Sequence, residues 1–179
     1  MFDHLRPGRR ARVAKVAVVG LAMMIILSAV PGVTALTSGK ERKAETKLFD
    51  RRNAERLGMG LDPLVEHGSI LSTVREHSVY MADTGDVGHT GDVERYAAID
   101  ASDAGIGPGE QCENVASTKG FTSPGKVAKA FFAFWKGSPD HNKCLFDGNG
   151  FDTTSAAVGI ERRGKRWYGT FIAAFDSTP

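Results

Sequence analysis

The sequence predicts an α+β fold in which helices come first and a β-hairpin closes the chain. Three observations carry this. Apolar residues recur at helical spacing over residues 65–82 and again over 124–135. Between them lie two glycine-rich stretches, 85–92 and 100–111, that no helix interior tolerates. After Gly148-Asn149-Gly150, residues 156–175 alternate and enclose a compact polar turn, as a hairpin does.

The first 35 residues stand apart. Arg9-Arg10-Ala11-Arg12 leads into Val16 to Val30, a run without charge, and Pro31-Gly32 then precedes Val33-Thr34-Ala35. This order of basic start, apolar core and small residues is that of a secretory signal cleaved after Ala35. The alternative is a membrane anchor over residues 16–36, for which the apolar core is short beside the ~20 residues of a span. Residues 1–35 hold five of the 23 Lys and Arg but one of the 21 Asp and Glu, so the exported body carries 18 basic against 20 acidic residues. A weakly acidic body has no basic footprint for nucleic acid. Contact with a membrane is expected only through an uncleaved N-terminal segment.

Residues 36–46 are polar and read as a linker or a frayed helix start. From Thr46 a helix is expected with Phe49, Asn53, Arg56 and Leu57 on one face, ending at Gly58 before the turn at Gly60 and Pro63. A second helix runs from Val65 to Ala82, with Ile70, Leu71, Val74, Ser78, Met81 and Ala82 inward. His77 shares that face and is expected to be a packed, hydrogen-bonded core residue, whereas His67 is expected in solvent. A short helix over Val93 to Ile99, a loop over 100–111 and a short strand or turn at Cys112 to Ala116 follow.

The most informative stretch is 131–146. Ser123 and Pro124 suit a helix start, and Val127, Phe131, Phe134 and Trp135 recur on one face that is expected to be core. The helix breaks at Gly137 and Pro139, which leaves His141 on a loop or short turn close to Cys144. In the hairpin, Ala156 to Glu161 and Trp167 to Phe175 are the strands, both faces of the sheet are covered, and Arg162, Arg163, Lys165 and Arg166 form a solvated tip.

Cys112 and Cys144 are the only cysteines. In an exported protein two cysteines pair, closing a loop of about 33 residues worth ~3–4 kcal/mol. The competing zinc site, His141 and Cys144 with Cys112, lacks a fourth ligand and the short Cys spacings of such sites. His89, Glu113 and His141 are the chemistry-bearing residues. Two imidazoles and a carboxylate can hold a divalent cation such as zinc with an open position, or do acid–base work near neutral pH.

A resemblance joins these pieces. Asn53 and Arg56, Ser78 and Met81-Ala82, His89-Thr90, Glu113-Asn114-Val115-Ala116, Trp135 to His141 and Val158-Gly159-Ile160 together resemble the CAP superfamily, the SCP-like extracellular domains in their short bacterial form. The resemblance covers Leu48 to Phe175 and places the domain at 47–176. It implies a single-domain α-β-α sandwich around a small antiparallel sheet, with a cleft that gathers His89, Glu113 and His141. It also marks departures. Gly137 stands where a second acid is usual, and Cys112 and Cys144 stand where the pattern has glycine and asparagine, as a disulfide along the cleft wall would require. The function implied is that of a secreted binding or interaction module for an extracellular or cell-surface ligand. The alternative is a metal-dependent, protease-like hydrolase using the same cleft.

Overall fold

The computed structural model describes residues 38–102, 106–146 and 153–176. The leader read over residues 1–35 and the turn at Gly148-Asn149-Gly150 lie outside them. Among the described residues no helix is long and apolar enough to cross a membrane.

Helix α1 spans Gly39–Gly58. It begins at a Ser38 cap whose hydroxyl accepts the Lys40 amide at 3.3 Å, so most of the expected linker is helix. Its buried face is Glu41, Ala44, Glu45, Leu48, Arg52 and Arg56, while Leu57, expected inward, is exposed. That face is largely charged, and therefore gave no apolar periodicity to read. Each charge has a reason to be inside. Arg56 donates to the carbonyls of Asp62 and Phe146, both at 2.7 Å, and Arg52 lies 5.2 Å from the rings of Phe49 and Phe171.

Strand β1 is Val65–Glu66, and α2 runs Gly68–Thr84 to a left-handed Gly85 whose amide returns to the Met81 carbonyl. Helix α3 is Asp92–Ser102. Strand β2 covers Ile106–Lys119, well beyond the short strand expected at 112–116, because it runs back through Pro108 and Gly109. Helix α4 (Pro124–Gly137) starts on Pro124, and α5 (Pro139–Phe146) follows at once, so His141 sits in a helix rather than on a loop. The buried face of α4 is Val127, Ala128, Phe131, Phe132 and Trp135; Phe134 is 57% exposed instead of core. The hairpin is β3 (Ser155–Arg163) and β4 (Arg166–Asp176).

The four strands lie in the order β1-β3-β4-β2. The pairs β3–β4 and β4–β2 are antiparallel, with Glu113 opposite Ile172 and Asn114 opposite Phe171, while the two-residue β1 runs parallel to β3. Alternation sorts the side chains into two layers. Ala156, Val158, Ile160, Trp167, Phe171 and Ala173 face the main core with Leu48, Phe131, Trp135 and Leu145. Ala157, Ile172 and Ala174 pack on Ile70, Val74 and Ile99, and Val115 and Tyr168 pack on Met81 and Ala82. The sheet is thus covered on both faces, by α1, α4 and α5 on one and α2 and α3 on the other. Gly159 is obligatory here, since a Cβ would stand 2.3 Å from the Val74 carbonyl oxygen in α2.

Candidate functional site

Strand β2 forms one edge of the sheet, and residues 112–115 act on both layers in turn. Cys112 is bonded to Cys144 of α5, with Cα atoms 5.6 Å apart. Asn114 points the same way and its Nδ2 donates to the His141 carbonyl at 2.9 Å. The Trp135 indole donates to the Val115 carbonyl at 3.3 Å. Three successive anchors therefore fix α4 and α5 against β2. The bridged sulfurs are not thiolates, which removes the competing Cys–His zinc site.

Glu113 points to the other layer, and its side chain is fully buried. Oε1 lies 2.9 Å from Nδ1 of His89 and accepts Nη2 of Arg95 at 2.6 Å, while Oε2 accepts Nε of Arg95 at 2.9 Å. Nη1 of Arg95 is held by the Thr90 carbonyl at 2.5 Å. The carboxylate thus receives a two-pronged guanidinium contact from α3 and orients an imidazole that is 49% exposed. With Nδ1 engaged, Nε2 is the His89 nitrogen left for a ligand.

The loop carrying His89 is itself pinned. His77, buried in α2 as expected, hydrogen-bonds through Nε2 to the Gly88 carbonyl at 3.0 Å and stacks on Tyr80. Burial lowers its pKa, against the opposing pull of the Glu113 carboxylate. His67, expected in solvent, is half-buried and meets the Ser69 hydroxyl at 2.8 Å.

His141 approaches from the opposite layer, round the free edge of β2. Its ring tilts against Phe134 at 5.6 Å, and its Nδ1 is buried without a partner among the described residues. Burial, and then the charge of His89, hold its pKa below the usual 6.5. The two histidines are near enough to repel when charged. His89, Glu113 and His141 nevertheless do not form a three-ligand set: among the described residues no three His, Cys, Asp or Glu are arranged to hold a metal. The Glu113 oxygens are, besides, engaged by Arg95 and His89.

Arg95 was invisible to sequence reasoning. It lies in a short helix among ordinary surface charges, and only the fold brings it to Glu113. A hollow of about 320 Å³, lined by His77, Tyr80, Thr90 and Arg95 among others, opens beside this pair. A larger open groove of about 700 Å³ runs between α1 and α4, past Lys47, Arg51, Met59 and Ala128, and contains none of the three residues singled out. Its size does not make it the centre of the chemistry.

No protein-family profile and no curated protein matches this chain at the sequence level. Solved structures do. An extracellular protein containing an SCP domain from Bacillus anthracis superposes with a TM-score of 0.52 at 21% identity, over 74% of this chain and 41% of that one. The chain has an SCP-like fold. An outer surface protein from Borrelia burgdorferi superposes with a TM-score of 0.54 at 14% identity, over 78% of this chain and 95% of its own. At these identities the likeness lies in the backbone.

Proposed function

We propose that this protein is an extracytoplasmic, non-catalytic binding module whose cleft at the β2 edge engages its ligand through the imidazoles of His89 and His141. The observation that carries the reading is the state of Glu113. Both of its oxygens are engaged, by the Arg95 guanidinium and the His89 imidazole, so neither is free to position a water. This favours a binding role over a water-activating one, with Glu113 as the group that sets the His89 tautomer.

Export is supported by the signal-like residues 1–35, by the Cys112–Cys144 bridge and by the surface and extracellular settings of the two structural neighbours. A divalent cation such as zinc is the ligand proposed for the two imidazoles, with water completing its shell and modest affinity. Calorimetric titration of zinc into wild type and His89→Ala, at about pH 7.5 where free imidazoles are neutral, tests this. Heat in the wild type and none in the variant is expected. Equal heats would show that the cation binds elsewhere.

A further inference from the structure

The charges of the exported body nearly cancel in number, yet the fold sorts them in space. Arg163 of β3 lies opposite Arg166 of β4, and Arg166 lies opposite Lys119 of β2, so three exposed cations form one row across three strands. Like charges directly opposite one another weaken strand pairing. The row lies one step beyond the buried Trp167, where core packing no longer dictates residue type. Exposed Lys165 stands in the turn beside it.

The same end of the molecule collects further cations. The Gly120 amide bonds to the Lys165 carbonyl at 3.3 Å, so α4 sets out from the hairpin tip and carries exposed Lys126 in its first turn. Helix α1 runs parallel to α4, since a Cβ at Gly125 would lie 3.7 Å from Cδ of Lys47, and Glu55 pairs with Lys136 further along. The first turns of α1 therefore bring exposed Lys40, Arg42 and Lys43 to this pole. The acids beside these residues are largely withdrawn: Glu41 and Glu45 are buried, and Asp83 is engaged by Arg163. Along the chain the cations are scattered over four segments, and the net charge conceals them.

We propose that this pole docks on an anionic phospholipid surface, with the row Lys119, Arg166 and Arg163 at its centre and the start of α1 at its rim. Two observations select lipid among polyanions. The signs of export given above take the chain away from nucleic acid. Seven residues, 31–37, separate the charge-free run Val16 to Val30 from Ser38, a reach of about 25 Å at full extension. An uncleaved N-terminal segment thus enters the domain at this pole, and cleavage after Ala35 would leave a new amino terminus beside the same lysines. Headgroup phosphates would set attraction against the repulsion within the row, over a range of about one Debye length. The imidazole cleft takes no part in this.

The protein as exported is sedimented with vesicles of phosphatidylcholine alone and of phosphatidylcholine with about one third phosphatidylglycerol. Wild type is compared with the row variant (Lys119→Gln, Arg163→Gln and Arg166→Gln) and with a charge-matched control (Arg51→Gln, Lys136→Gln and Lys143→Gln). Near-UV circular dichroism confirms each fold. Wild type should prefer the anionic vesicles, and the preference should shrink as salt is raised. The row variant should lose roughly a hundredfold in affinity for them, and the control less than about threefold. Should the row variant fail to fold, Lys119→Gln with Lys165→Gln takes its place, with a loss of roughly tenfold. Equal binding to both vesicle types, or losses of equal size in variant and control, would overturn the proposal. So would a short DNA duplex or a soluble glycerol-phosphate polymer held by the same residues more tightly than the vesicles.

Discussion

At the β3 edge of the sheet Glu45 meets Arg75, and at the β2 edge Glu113 meets Arg95. Both carboxylates are buried, both arginines contact both oxygens, and both pairs have a closest approach of 2.6 Å. They differ in the third partner. Glu45 of α1 accepts the Ile160 amide at 3.0 Å and so satisfies the strand edge while tying α1 to α2. Glu113 turns instead to the half-exposed His89 imidazole. A backbone amide has one protonation state in the working range and an imidazole has two. The same salt bridge is a rivet in one place and the support of an exposed imidazole in the other.

The comparison can be broken first at the β2 edge. Replacing Cys112 and Cys144 together with alanine should cost about 3–4 kcal/mol, the closure entropy of a loop of this length, read from urea denaturation. A change below about 1 kcal/mol would mean that the Asn114 and Trp135 anchors suffice without the bridge. At the β3 edge, Glu45→Ala should cost about 3 kcal/mol, because it strands Arg75 and the Ile160 amide at once. Glu45→Gln keeps an acceptor for the amide and should recover part of the loss in the same assay. Equal losses for the two variants would show that the amide contact contributes nothing.

The smallest effect is one of pH. Folded His77 and His141 are held below the usual 6.5, so near that value the folded chain binds fewer protons than the unfolded one. Their contribution is therefore complete above the unfolded value and is lost as pH falls through it towards the lowered folded values. His77→Gln should flatten this slope. Urea midpoints of both proteins at about pH 7.5 and about pH 5.5 measure it. Parallel slopes would remove His77 from the account.

Much of this architecture was legible because hydrophobic period and turn chemistry agreed. The hairpin strands, the inward face of α2, the core placement of His77 and the pairing of the two cysteines all rest on local rules. The misreadings share a physical cause, which is that tertiary partners overrode local pattern. The start of α1 was hidden because its buried face carries Glu41, Glu45, Arg52 and Arg56, the last three held by bonds and rings supplied from elsewhere. Strand β2 was read short because Pro108 and Gly109 punctuate it. Phe134 was read as core because it shares a helical period with Phe131, yet the buried face is centred on Ala128, Phe131 and Trp135 and leaves Phe134 beside His141. His89 and Glu113 could be singled out by residue type; Arg95, which engages both oxygens of Glu113, could not.

Gly159 has a reach that its size conceals. Because it has no side chain, the α2 backbone at Val74 settles directly onto β3, and the sheet becomes the reference level for that helix. One turn further on, His77 hands that level to the Gly88 carbonyl, and the next residue is His89. The position of the exposed imidazole is thus surveyed from β3. A methyl group added at Gly159 would raise α2 and carry the His89 loop with it, so a substitution far from that imidazole would displace it from below.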